Sequence, residues 1–185
     1  MLKKSPDSRF LTDVVIQNSD RHLEQIIKKI PWVPFKNSER RICSLGVDYP
    51  YSGQVTKAYP WSVYPPLELL MKRINAMLGT NFNSALLNWY PAGKRSGINA
   101  HSDSESTLVK GSAVVSVSLG ESCIFNFHEI VKGGIYPPPI TDSVELKHGD
   151  VFIMAGGCQS VYMHSIGYKL NVKDRLSITF REFKV

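Results

Sequence analysis

The sequence predicts a mainly β protein with flanking helices, a jelly-roll-type barrel or sandwich. From residue 85 onward, short apolar stretches are cut by glycine breaks at Gly120-Glu, Lys132-Gly-Gly, His148-Gly-Asp and Ala155-Gly-Gly. Many short strands with glycine turns are the pattern of such all-β architectures. Two amphipathic stretches with clear stop signals precede them. With 185 residues, 43% of them hydrophobic, the chain can bury one core, so a single domain over residues 1–185 is expected.

Residues 1–18 are mixed, with Phe10-Leu-Thr-Asp-Val-Val-Ile alternating poorly, and part of them is expected as strand. Ser19 or Asp20 is placed to cap a helix that runs through Ile30 and is stopped by Pro31. Its Leu23, Ile26, Ile27 and Ile30 share one face, and His22 at its start reads as a surface or capping residue. Residues 31–64 are rich in Pro, Trp and Tyr and read as a β-rich segment with core aromatics. Pro65-Pro66 opens a second helix through Leu78, with Gly79 as its stop. Leu67, Leu70, Met71, Ile74 and Leu78 form its apolar stripe. Strands are then expected over residues 112–119, 123–127, 142–146, 151–154 and 176–183. Pro137-Pro-Pro139 reads as a short stiff loop.

The net charge of +6 and a pI near 9.2 suit a polyanionic partner without requiring one. Three cysteines, Cys43, Cys123 and Cys158, have no paired spacing. No disulfide framework is implied and a reducing compartment is expected. The start, Met1-Leu-Lys-Lys-Ser-Pro, has no apolar h-region, and no run approaches a membrane span. The expectation is a soluble, cytoplasmic, monomeric enzyme with no membrane partner.

The chemistry concentrates in His101-Ser-Asp103. Side chains at i and i+2 of a strand point to one side, so an imidazole and a carboxylate can meet one metal ion. His164 supplies a third ligand. Two His and one Asp leave open coordination positions, the facial triad of non-haem Fe(II) oxygenases. His128 and His148 compete for the distal role, but their settings, after Asn126-Phe127 and in a His-Gly-Asp turn, read as structural. Downstream, Arg175, Ser177, Thr179 and Arg181 share one face of a strand while Leu176, Ile178 and Phe180 take the other. Two buried Arg forks on a closed polar face need acidic partners, and a dicarboxylate would be a good one.

Asn88-x-Tyr90 before His-x-Asp, a distal His, and Arg-x-Ser-x-Thr-x-Arg together resemble the AlkB family of Fe(II)/2-oxoglutarate dioxygenases, over roughly residues 40–185. The resemblance implies a double-stranded β-helix, the jelly roll, with an N-terminal nucleotide-recognition lid: residues 1–83 carry helices and lid, 84–185 the catalytic core. It implies Fe(II) on His101, Asp103 and His164, with 2-oxoglutarate and O2 as cosubstrates and ascorbate as a stimulant. Arg175 with Tyr90 would take the far carboxylate of 2-oxoglutarate. Arg181 with Asn88 would take the carboxylate beside the keto group, and Ser177 and Thr179 would complete the pocket. Glu105 extends the motif to His-x-Asp-x-Glu, as in the nucleic-acid-repairing branch, and would contact the base.

Asp48-Tyr49-Pro-Tyr51-Ser resembles the lid's Tyr-x-Tyr-Ser stretch, which places Tyr49 and Tyr51 toward an extruded base. Arg40, Arg41, Lys94 and Arg95 read equally as phosphate contacts or solvated charges. The implied reaction is oxidative removal of N-methyl groups of the 1-methyladenine and 3-methylcytosine type, with formaldehyde, succinate and CO2 as products. No wedge hairpin is evident, which favours single-stranded RNA or DNA. Met154-Ala-Gly-Gly-Cys-Gln159 is similar to AlkB domains of plant RNA virus replicases. That similarity tilts the expectation toward RNA and toward a domain cut from a polyprotein. The alternatives are a dioxygenase acting on a protein or small molecule, a silent module binding methylated nucleic acid, and a cupin-like zinc protein.

Overall fold

A computed structural model describes residues 8–51, 54–103, 106–131 and 133–184. The N-terminal part holds β1 (Ser8–Phe10), α1 (Ser19–Lys29), β2 (Val33–Pro34), β3 (Arg41–Leu45), β4 (Tyr49–Tyr51), β5 (Gln54–Thr56), β6 (Ala58–Tyr59) and α2 (Pro65–Leu78). After it come β7 (Ser84–Tyr90), β8 (Arg95–His101), β9 (Val114–Gly120), β10 (Cys123–Glu129), β11 (Asp142–Leu146) and β12 (Val151–Met154). The short helix α3 (Cys158–Val161), β13 (Tyr162–Leu170) and β14 (Arg175–Arg181) complete the chain.

Two sheets face each other as the expected jelly roll. The major sheet has eight strands, ordered β1-β12-β9-β14-β7-β3-β2 with β6 added beside β3; the minor sheet is β11-β10-β13-β8. A separate hairpin, β4-β5, carries Tyr49. Because β3 pairs with β7 from Arg41–Trp89 to Leu45–Ala85, the N-terminal segment is built into the same sheet as the catalytic strands.

The major sheet is covered on both faces, which explains why every residue of β14 is buried. Its Leu176, Ile178 and Phe180 pack with Ile26 of α1, with Ile30 just after it and with Leu67, Met71 and Ile74 of α2 in one core. Leu176, Ile178 and Phe180 are each 1% exposed or less, and burying such a side chain stabilises by about 1.5–3 kcal/mol. A second core lies between the sheets, where Tyr90, Val114, Phe152 and Met154 meet Phe125, Phe127, Leu146 and Ile166. The polar face of β14 looks into the same inter-sheet space.

α2 begins at Pro65 and ends at Gly79, whose φ of 66° is the left-handed conformation that glycine adopts without steric cost. α1 starts differently from expectation. Asn18, itself left-handed at φ 52°, stands at the cap, and no side chain caps the helix. His22 donates or accepts a 2.7 Å bond with the Tyr64 hydroxyl, tying α1 to the start of α2. No span was assigned in advance to β7, β8, β13 or α3, although His101 was read as lying on a strand.

Candidate active site

The antiparallel pairing of β8 with β13 places His101 directly opposite His164. Their rings lie 4.2 Å apart between centroids. Asp103 follows immediately after β8, and one ligand atom from each of the three residues falls within 4.8 Å of the others. The His101 Nδ1–H donates to the Asn99 carbonyl at 2.9 Å, which leaves Nε2 facing Asp103 Oδ1 at 4.0 Å. A ring nitrogen committed to a backbone carbonyl is the usual way a ligating imidazole is oriented. His164 stacks on Phe125, 5.1 Å between centroids and 14° between planes.

Asp103 is fully enclosed. Both Nε and Nη2 of Arg181 donate to its Oδ2 at 2.9 Å, while Oδ1 is buried without a donor. Burial pushes the Asp103 carboxyl up, but Arg181 and the two imidazoles outweigh it and hold it below the usual carboxylate range. Burial is the leading cause that lowers both histidines; for His164 the neighbouring His101 and Arg181 add to it and the Asp103 carboxylate opposes it, which together bring it down to about 3. Two neutral imidazoles and one ionised carboxylate with a free oxygen are the protonation states that metal ligation requires. The donor set therefore fits a divalent cation.

Beside the triad a cavity of about 60 Å³ is lined by Asn88, Arg175, Ser177, Thr179 and Arg181 from the major sheet. The Arg175 guanidinium lies 4.7 Å from the Tyr90 ring centre. It is 2% exposed, and among the described residues none of its three nitrogens meets an oxygen or nitrogen acceptor; the Cys123 thiol is its one polar contact. The Tyr90 hydroxyl and Asn88 Oδ1 are likewise buried and unpartnered. A buried guanidinium stays protonated and is costly without a counter-charge. These orphaned groups fit a carboxylate ligand such as one end of 2-oxoglutarate.

Arg181 and Asn88 were expected on the same carboxylate of 2-oxoglutarate. Along the β14–β7 ladder Arg181 stands opposite Ser84 and Asn88 opposite Ser177. Arg181 spends two donors on Asp103, and both residues still line the cavity.

Tyr49 is 2% exposed, lines the cavity, meets Phe183 edge-on and has the Arg181 guanidinium 5.1 Å from its ring centre. Its hairpin is closed by Asp48, which accepts from the Ala58 N–H and from Lys57 Nζ. The Tyr51 side chain and all of Glu105 lie outside the described residues. His128 donates from Nδ1 to the Pro138 carbonyl and accepts at Nε2 from Ser165, and His148 joins the Gly120 N–H to Ser19. Both are structural, as read from sequence. Lys94 pairs with Glu39 on the surface.

Two residues at the site were not placed at the metal or cosubstrate pocket from the sequence. Gln159 of α3 accepts the Asp103 N–H through Oε1 at 2.9 Å. Arg40, read as a phosphate contact or a solvated charge, is 6% exposed, stacks on Phe35 and faces the cavity.

Residues 12–181 match the family described as the 2OG-Fe(II) oxygenase superfamily. The chain belongs to that superfamily. Among curated relatives, it is 31% identical over 140 residues to bovine DNA oxidative demethylase ALKBH2, covering 74% of this chain and 49% of that protein. It is 26% identical over 188 residues to human alpha-ketoglutarate-dependent dioxygenase alkB homolog 3, covering 91% and 63%. The chain thus spans about half to three fifths of the length of these relatives. The solved structure of OsALKBH1 superposes with a TM-score of 0.60 at 18% identity, covering 97% of this chain and 99% of that one. The AlkB resemblance carried by the motifs is borne out by these relatives, and the superfamily is one of Fe(II), 2-oxoglutarate and O2.

Proposed function

We propose that the chain is an oxidative demethylase that removes N-methyl groups, of the 1-methyladenine and 3-methylcytosine type, from single-stranded RNA or DNA. Residues 1–185 act in this reading as one catalytic domain. The observation that carries it is the buried, unpartnered Arg175 guanidinium in a cavity shared with His101 and His164. The name of one relative, a DNA oxidative demethylase, supports the nucleic-acid side, and that of another, an alpha-ketoglutarate-dependent dioxygenase, supports the cosubstrate. The net charge of +6 also supports the nucleic-acid side.

Fe(II) with 2-oxoglutarate and O2 would supply the oxidation of the methyl carbon, with succinate, CO2 and formaldehyde as products. The chain's own groups do the rest. His101, Asp103 and His164 would hold the metal. Arg181 keeps Asp103 ionised. Arg175 and Tyr90 would hold the far carboxylate, and Asn88, Ser177 and Thr179 line the same cavity. The apolar wall of Phe125, Leu146 and Met154 excludes water. Tyr49, with Tyr51 two residues on, would border the incoming base, and Glu105, two residues after Asp103, would contact it.

The test is a demethylation assay. Single-stranded RNA and DNA carrying 1-methyladenine or 3-methylcytosine are incubated with Fe(II), 2-oxoglutarate and ascorbate and read by mass spectrometry, with His101→Ala as the blank. Methyl loss that needs both 2-oxoglutarate and His101 is expected. Succinate without methyl loss would transfer the activity to a protein or small-molecule substrate.

A further inference from the structure

Three arginines line the cavity: Arg40, Arg175 and Arg181. Arg181 is committed to Asp103, and Arg175 sits over Tyr90 at the far end of the pocket. Arg40 has neither duty. It lies just before β3 in a turn closed by two backbone bonds, Phe35 N–H to Arg40 O and Ser38 N–H to Phe35 O, and by Ser38 Oγ accepting the Arg40 N–H. Its guanidinium carbon stands 4.3 Å from the Phe35 ring centre. Only 6% of the residue is exposed, its Nε is buried without an acceptor, and no acidic side chain pairs with it among the described residues. Its charge reaches His101 and contributes to lowering that imidazole.

Arg40 is therefore a donor group oriented by its stack on Phe35, lining the cavity and close enough for its charge to act on His101. A guanidinium has donors only, and it cannot shed its proton to escape burial. What enters this compartment must bring an acceptor. We propose that Arg40 reads a ring carbonyl next to the methylated nitrogen, and so makes the site select methylated pyrimidines over methylated adenine. The proposal rests on the demethylase reading above. In a cytosine methylated at N3, the C2 carbonyl adjoins the methylated nitrogen. In an adenine methylated at N1, that flank is a C–H. Both bases are cationic, so repulsion by Arg40 largely cancels between them, whereas the hydrogen bond does not. A buried donor left unpaired by the wrong base is the strongest basis for discrimination that a pocket of this kind has.

The experiment compares kcat/KM for 3-methylcytosine and 1-methyladenine at the same position of one single-stranded oligonucleotide, in wild type and in Arg40→Met. Taking the ratio of the two ratios cancels the intrinsic reactivity of each base. The cytosine preference is expected to fall roughly tenfold in Arg40→Met, with the KM for 2-oxoglutarate unmoved. Arg40→Lys, which keeps the charge but loses the flat stack on Phe35, should retain only part of the preference. If Arg40→Met shows no cooperative thermal transition, Phe35→Leu releases the guanidinium without removing it and should lower the same ratio. An unchanged ratio in a folded variant overturns the proposal. So does a loss shared equally by both bases, which marks a strand contact, or a loss confined to the KM for 2-oxoglutarate. Absence of methyl loss from both bases in wild type is a separate result, and it sinks the demethylase reading itself.

Discussion

Gln159 holds Asp103 by its backbone: the Asp103 N–H donates to Gln159 Oε1 at 2.9 Å, and the Gln159 amide in turn reaches Met154 Sδ at 3.5 Å. The turn between His101 and Asp103 is thereby anchored to α3, which immediately precedes the strand of His164. One amide links the two halves of the triad. Gln159→Met preserves bulk but leaves the buried N–H without a partner, so the carboxylate loses its fixed position. Outer-shell substitutions of this kind weaken metal binding by about 10–100-fold. Titration with Mn(II) should show a loss in that range while the fold stays intact. An unchanged affinity would mean that Arg181 alone positions Asp103.

Arg175 gives a prediction of opposite sign for the free and the ligated protein. With three unpartnered nitrogens at 2% exposure, it is a cost to the empty fold. Replacing a buried, uncompensated charge with an apolar side chain of similar size is neutral or stabilising. Arg175→Met is therefore expected to melt no lower than wild type without ligand. Wild type saturated with 2-oxoglutarate at a hundred times its Kd gains about 2.7 kcal/mol, and the variant should lose most of that gain. Thermal melts with Mn(II), with and without 2-oxoglutarate, test both halves. A variant that is less stable when empty would show that Arg175 has a structural partner.

The buried histidines set the acid sensitivity of the metal-free protein. His164 is depressed from 6.5 to about 3, by burial first and then by its cationic neighbours, and His101 is lowered for the same leading reason. The unfolded chain binds these protons more readily, so their contribution to stability is complete above pH 6.5 and is lost as pH falls toward about 3. Asp103, also lowered, adds its own loss only below its ordinary value of 3.8. Urea midpoints of metal-free protein should fall steadily between pH 7 and pH 4 in wild type. The slope should be shallower in His164→Asn, which has no imidazole to titrate. Equal slopes would assign the acid sensitivity to groups outside the triad.

The contrast between what was and was not legible in the sequence has local causes. β14 was readable because both of its faces are buried for different reasons, apolar toward the helices and polar toward the cavity, and strict alternation records that. α2 was readable because Pro65 and Gly79 mark its ends with backbone chemistry. β8 and β13 lacked such a signal. β8 is an edge strand of mostly polar residues, and its pairing with β13 shifts register twice, so neither strand keeps a clean period of two. Arg40 looked solvated because charged pairs beside a turn usually are. Its burial arises only when the 35–40 turn folds back and Phe35 covers it. Gln159 was invisible as a site residue because its partner, Asp103, is far away in sequence.

Gly97 connects the irregular β8–β13 pairing to the chemistry. A Cβ at this position would stand 2.6 Å from the Ile166 carbonyl and 2.9 Å from the Tyr168 backbone, closer than any side-chain carbon is tolerated. Those neighbours are backbone and cannot rotate away. Gly97→Ala must therefore lift β8 off β13 between the Ser96–Lys169 and Ile98–Ile166 pairs, in the strand that ends at His101. The overpacking should destabilise the protein by about 1–3 kcal/mol. The displacement should also weaken Mn(II) binding, because the opposition of His101 and His164 depends on that pairing. Denaturant midpoints and Mn(II) titration on the same variant separate the two effects. Lost stability with undiminished metal affinity would show that the bulge absorbs the shift before it reaches His101, and that the triad is held by Asp103 and its partners rather than by the register of β8.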